Sequence, residues 1–203
     1  MSKCSLSDEL IQQTINFHGH SCPGLAIGIR AAELALAEIG HHADEEVVAV
    51  VETDMCGVDA IQFLTGCTFG KGNLIHLDYG KNVFTFYRRS DKKAVRFALR
   101  PEALHDPDDD SGTPGEKRMK EGLTPENQER LGVARDARKR RIMETDLKTL
   151  FEVKPVQGPV PGKARILESL TCQACGESTM ETRTRRFLGQ TLCIPCFEAQ
   201  GKR

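Results

Sequence analysis

Four thiol or imidazole side chains sit in two short, glycine-flanked segments of the first third of the chain, and a fifth follows close behind. The first segment is Phe17-His18-Gly19-His20-Ser21-Cys22-Pro23-Gly24. The second is Glu52-Thr53-Asp54-Met55-Cys56-Gly57-Val58-Asp59, with Cys67 eleven residues beyond Cys56. Thiolate and imidazole lone pairs bind soft and borderline metals, so His18, His20, Cys22 and Cys56 are the candidate ligands of one site. Cys22 precedes a predicted helix start, where exposed N–H groups favour a thiolate. That also makes Cys22 or Cys56 a candidate nucleophile, with His18 or His20 as base. Cys67 and Asp54 are second choices as ligands. Lys71, between Gly70 and Gly72, is read as an anion holder whose flanking backbone approaches a ligand closely. Blander readings stand beside these: Cys67 as a core thiol, Lys71 as a surface cation, Asp59 as a first-turn helix charge.

A second set lies near the end of the sequence. Cys172-Gln173-Ala174-Cys175 is followed, after seventeen residues, by Cys193-Ile194-Pro195-Cys196. Each Cys-x-x-Cys brings two sulfurs to one ion, and the span between them suits a returning hairpin. Four thiolates then close a tetrahedral shell around structural Zn²⁺. A rubredoxin-like iron site uses the same ligands. So short a segment buries little core, and metal binding must supply most of its folding free energy.

The elements that carry these residues can be read from pattern. Residues 7–17 predict a helix capped by Ser7, with Leu10, Ile11, Thr14 and Ile15 on one face. A second helix starts at Pro23 and ends at Gly40. Val47, Val48, Val50 and Val51 predict a buried strand over 46–53. A short helix follows over 57–66. Strands over 72–79 and 82–89 are expected to form a hairpin about Gly80, and 93–100 to complete an antiparallel meander. The acidic, breaker-rich 105–115 is a loop, and 124–151 a charged helix that includes Arg138-Lys139-Arg140-Arg141. Pro155, Gly158, Pro159, Pro161 and Gly162 mark a linker. The fold class is therefore α+β, with N-terminal helices on a mostly antiparallel sheet. The expected divisions are a core at 1–104, a loop and helical extension at 105–153, a linker at 154–168 and a Cys4 finger at 169–203.

Composition narrows the classes. With 203 residues, 39% hydrophobic and 28% charged, the chain is long enough to bury a core and ordinary for a globular protein. A net charge of −1 argues against strong nonspecific nucleic-acid binding. The basic run 138–141 reads as a charge-laced helix face, and the third functional class, a zinc-finger regulator, rests on it. No apolar run approaches membrane-spanning length, and the first residues lack the apolar stretch of a secretory signal, so a cytoplasmic protein is expected. In that compartment clustered cysteines favour metal over disulfides.

Three motifs together resemble the FmdE family of formylmethanofuran dehydrogenase-related proteins. They are Phe17-His18-Gly19-His20-x-Cys22-Pro23-Gly24-Leu25-x-x-Gly28, Glu52-Thr53-Asp54-x-Cys56-x-x-Asp59-Ala60-Ile61-Gln62, and Thr65-Gly66-Cys67-Thr68-Phe69-Gly70-Lys71-Gly72-Asn73-Leu74. The last forty residues resemble the four-Cys finger of DksA/TraR-type proteins, treble-clef-like in form. The resemblance implies an α+β core, a metal pocket built from the His-Gly-His-x-Cys and Asp-x-Cys segments, and a homodimer. The family takes its name from an operon shared with a molybdenum or tungsten enzyme of one-carbon metabolism. The expected function is thus a metal-binding accessory to such an enzyme or its pterin cofactor. A second transition metal (Zn, Fe or Ni) is expected in the N-terminal pocket. The alternative is an enzyme using a metal-activated or nucleophilic cysteine.

Overall fold

The structure, a computed structural model, describes residues 4–40, 46–104, 124–156 and 158–201. The predicted loop at 105–115 and the His41-His42 pair lie outside the described residues. The chain divides into two compact units, 1–163 and 164–203.

In the first unit, α1 (Asp8–His18) is capped by Ser7, whose hydroxyl accepts the Leu10 N–H at 3.2 Å. Gly19 ends it at φ 91°, a left-handed conformation natural to glycine. The chain then enters α2 (Pro23–Ile39), whose proline sits in the first turn. Sequence periodicity assigns α2 one buried face; the structure buries it on both sides. Ala26, Ile27, Ala31, Ala35 and Ile39 meet the sheet, while Leu25, Ile29 and Ala32 meet α1 and α3 (Gly57–Thr65). An apolar helix buried on both flanks is the central layer of the unit.

Five strands form one sheet: β1 (Val47–Val51), β2 (Leu74–His76), β3 (Val83–Arg88), β4 (Ala94–Leu99) and β5 (Phe151–Lys154), in the order β2-β1-β3-β4-β5. The expected hairpin between β2 and β3 does not form. β1 lies between them, antiparallel to β3 with Ala49 opposite Phe86, and parallel to β2 with Ala49 opposite Leu74. Val47, Ala49 and Val51 need burial more than the turn at Gly80 needs strand pairing across it, and the central position supplies that burial. The β3–β4 hairpin is as expected, with Phe84 opposite Phe97. Phe97 touches the rings of Phe84, Phe86 and Phe151, with centroids 5.2–6.0 Å apart.

The predicted helix over 124–151 is interrupted. α4 (Pro125–Glu144) stops at Thr145, whose hydroxyl donates to the Arg141 carbonyl. Asp146 caps the single turn α5 (Leu147–Leu150), and the chain enters β5 at the sheet edge. The segment closes the core: Ile142, Leu150 and Phe151 are buried in it. Arg30 of α2 is fully buried, and its guanidinium donates to the carbonyls of Met143 (3.3 Å) and Thr145 (2.6 Å) and pairs with Glu33 (2.9 Å). It therefore caps the C-terminal end of α4 and fixes that helix to α2.

The second unit holds two hairpins and a helix. β6 (Ser169–Thr171) pairs with β7 (Ser178–Met180), β8 (Thr184–Phe187) with β9 (Gln190–Cys193), and α6 (Ile194–Gly201) follows. Among the described residues its buried cluster is Cys172, Leu192 and Cys193, with Phe187, Cys196 and Phe197 against it. Among the described residues no helix of the chain is long and apolar enough to cross a membrane.

Candidate metal centre

α1, α2 and α3 meet where their ends carry the predicted ligands. His18 is the last residue of α1, and His20 follows the left-handed turn at Gly19. Cys22 is the N-cap of α2, its sulfur accepting the Leu25 N–H at 3.3 Å. Cys56 is the N-cap of α3 and makes no side-chain capping bond, which leaves its sulfur available. One ligand atom from each of His18, His20, Cys22 and Cys56 can be chosen so that all lie within 4.8 Å of one another. A tetrahedral zinc site with ordinary bond lengths spaces its donors about 3.3–3.8 Å apart, so small side-chain adjustments bring the four donors onto one ion. His18 Nε2 and Cys22 Sγ stand 3.9 Å apart. His20 is exposed, whereas His18, Cys22 and Cys56 are half-buried.

Backbone contact between glycines makes this convergence possible. A Cβ on Gly28 would stand 2.1 Å from the Gly57 carbonyl oxygen and 2.4 Å from its Cα. A Cβ on Gly24 would stand 3.2 Å from Cys56 Cβ. α2 and α3 therefore touch through bare backbone, and the contact sets Cys56 beside Cys22. In the sequence, Gly24, Gly28 and Gly57 give no hint of this role, because the close approach is tertiary.

Asp59 is likewise left underread by the sequence. Besides lying in the first turn of α3, it accepts a hydrogen bond from His18 Nδ1 at 2.7 Å. With Nδ1 donating to the carboxylate, Nε2 is left bare and turned toward the cysteines. Carboxylate–imidazole pairs of this kind orient and strengthen metal-ligating histidines. The two imidazole rings lie 4.4 Å apart. Burial, with the Cys22 thiol beside it, pushes the Cys56 thiol above its ordinary value. A metal cation would reverse that by taking the proton's place.

The other sequence candidates lie elsewhere. Cys67 is completely buried in the main core, its thiol donates to the Val47 carbonyl at 3.5 Å, and burial raises its pKa. Asn73, also buried, accepts the Thr68 N–H and donates to the same Val47 carbonyl. These contacts brace the loop after α3. Lys71 sits at the far end of α3, near the left-handed cap Gly66. Cys56 and Gly66 are ten residues apart on one helix, a separation of about 15 Å, so the Gly70-Lys71-Gly72 turn does not border the four-ligand cluster of its own chain. Asp54 is exposed, and its neighbour Thr53 accepts the Met55 N–H at 3.3 Å. His76 is exposed on β2.

The second cluster is Cys172, Cys175, Cys193 and Cys196, again with ligand atoms within 4.8 Å. Cys175 and Cys193 sulfurs are 3.9 Å apart. The first pair lies on a tight knuckle, where the Gly176 N–H reaches the Cys172 carbonyl and Gly176 takes φ 76°. The second pair spans the end of β9 and the first turn of α6. Backbone N–H groups of Cys175, Cys193 and Ala174 lower the Cys172 thiol to about 6, while neighbouring sulfurs push Cys196 up to about 12. All eight cysteines are free. The donor set fits a closed, four-thiolate zinc shell.

A family model described as FmdE, molybdenum formylmethanofuran dehydrogenase operon, matches residues 17–152. The chain belongs to the FmdE family. The match begins one residue before His18 and ends within β5, so it takes in the whole four-ligand cluster and the sheet. A second model, the prokaryotic DksA/TraR C4-type zinc finger, matches residues 165–200. A probable S-adenosyl-L-methionine-binding protein of Archaeoglobus fulgidus is 32% identical over 92% of this FmdE chain. The chain spans about half (52%) of that relative's length. The crystal structure of a tungsten formylmethanofuran dehydrogenase FmdE-like protein from Syntrophus aciditrophicus shares the fold, with a TM-score of 0.61 at 23% identity over 100% of both chains.

Proposed function

We propose that this FmdE protein holds a transition metal between His18, His20, Cys22 and Cys56 and serves as an accessory to a molybdenum or tungsten pterin enzyme of one-carbon metabolism. The observation that carries the metal reading is the convergence of four soft donors backed by the Asp59–His18 hydrogen bond. A lone ligand cluster on a surface is common; a carboxylate hydrogen-bonded to one of its imidazoles supports a metal site. The exposed His20 is the ligand that an incoming group reaches first. When bound, the metal would supply Lewis acidity or a thiolate-rich docking point for a transferred group. The accessory role is supported by the family's operon description and by the solved relative's relation to a tungsten enzyme. A homodimer belongs to the same reading, supported by the exposed rings of Phe17 and Phe63, whose centroids lie 5.5 Å apart with the planes tilted by 33°.

For Cys56, the competing reading of a metal-free cysteine nucleophile is weakened by burial, which pushes its thiol above the ordinary value. Metal analysis of the full chain, purified from zinc-supplemented medium, tests the site. Two ions per chain are expected, and one in Cys22→Ser. An unchanged count in that variant removes the N-terminal site from consideration. The accessory role is tested in cells lacking the protein, where molybdenum- or tungsten-dependent dehydrogenase activity should fall and be restored by the wild type but not by Cys22→Ser.

A further inference from the structure

The metal reading of the four-ligand cluster leaves open what else approaches it, and a residue of α4 bears on that. Lys139 Nζ donates to Ser21 Oγ at 3.4 Å and pairs with Asp136 at 2.9 Å. Ser21 is the residue between the ligands His20 and Cys22 and is itself exposed. The Lys139 side chain is 23% exposed, against 60% for Asp136, so its stem lies along the protein while its ammonium reaches the cluster's rim. α4 is held for this: Arg30 grips the Met143 and Thr145 carbonyls, and Ile142 is buried in the core. Within the basic run 138–141 the sequence gives Lys139 no distinction; the crossing of α4 over the 20–22 turn does.

Charge decides what this cation does. Two thiolates and two neutral imidazoles balance a divalent ion, so the loaded cluster itself draws no anion. Asp59, on the Nδ1 side of His18, adds negative charge. Asp136 offsets Lys139 in part, from a more exposed position. Lys139 is then the one basic side chain that the described contacts attach to the His20–Cys22 turn.

Resting on the metal reading, we infer that Lys139 is a specificity-determining residue that makes the cluster accept a small anionic group, a carboxylate, phosphate or thiolate. The group would take the place of the exposed His20 among the four donors, and of Ser21 as the partner of the ammonium.

Azide serves as the probe, with the full chain loaded with Co²⁺ so that the visible cobalt bands report ligation. The finger, whose four donors are all thiolates with no imidazole to exchange, contributes a background that azide leaves unchanged. Wild type is expected to bind two cobalt ions and to show a saturable azide difference spectrum. Lys139→Gln should weaken azide by about threefold or more, the effect of one unit charge several ångströms away in water-like surroundings. Lys139→Arg should retain affinity, Asp136→Asn should tighten it, and all differences should shrink as salt is raised. Cobalt content should stay at two in each variant. Equal azide affinity in Lys139→Gln and wild type overturns the inference, and so does a wild-type spectrum that azide does not change. A single cobalt ion in the wild type overturns the metal reading itself, and is seen before any azide is added.

Discussion

Gly28→Ala is the sharpest probe of how the cluster is assembled. The new methyl would lie 2.1 Å from the Gly57 carbonyl oxygen, about 1.3 Å inside the shortest ordinary contact of 3.4 Å. Backbone atoms of a helix start cannot swing aside as a side chain would, so α2 and α3 must part. Overpacking of this kind costs about 3 kcal/mol at the upper end of its usual range, and the better helix propensity of alanine returns about 1 kcal/mol. The net loss is about 2 kcal/mol, or about a thirtyfold shift of the unfolding equilibrium. Parting by about 1 Å also carries Cys56 away from Cys22, against metal–sulfur bonds of only about 2.3 Å. Urea unfolding followed by circular dichroism should show the lower midpoint, and metal analysis should fall from two ions per chain to one, the finger's. Gly24→Ala (3.2 Å from Cys56 Cβ) and Gly57→Ala (3.1 Å from the Gly24 oxygen) should be milder in stability, at about 1 kcal/mol. A Gly28→Ala protein with wild-type stability and two bound ions would refute the glycine-contact argument.

Three further outcomes are expected. Asp59→Ala should weaken the N-terminal site for zinc by about tenfold, the low end for such carboxylates because Asp59 is 40% exposed; Asp59→Asn, which keeps an acceptor oxygen, should lose less, as read by competition with a chromophoric chelator. Cys67→Ala should leave both metals in place and lower stability by about 1 kcal/mol, since its buried sulfur fills core space. Asp91, beside Arg88 at 2.5 Å in the β3–β4 turn, has its carboxyl held well below the usual range by that guanidinium. A depressed carboxylate pKa stabilises the fold above the unfolded value and loses that contribution as pH falls; the urea midpoint of Asp91→Asn should therefore drop less than that of wild type between about pH 5 and about pH 2.

The two donor clusters were legible because their chemistry is local. Cys-x-x-Cys pairs bring two donors to one ion whatever the surroundings, and His18, His20 and Cys22 lie on one turn that Gly19 and Pro23 announce. Cys56 could be grouped with them by residue type alone. What could not be read was nonlocal. The place of β1 between β2 and β3 depends on which strand most needs burial, and the turn at Gly80 offers no sign of it. The break at Thr145-Asp146 depends on Leu150 and Phe151 finding the sheet. Asp59 looks like any first-turn acid until α1 is seen to deliver His18 to it. Lys71 and Cys67 are near Cys56 in sequence, and the length of α3 sets them apart from the four-donor cluster in space.

The two clusters sit in very different supports. The first is framed by helices whose hydrophobic interiors, built around Leu25, Ile29 and Ala60, exist independently of any ion. The second has little beneath it beyond Leu192 and a pair of crossed rings, Phe187 and Phe197. Under metal starvation the tail would therefore unravel and become open to proteases while the front of the molecule kept its shape. A cell short of zinc would thus hold a shortened protein whose first unit stays folded.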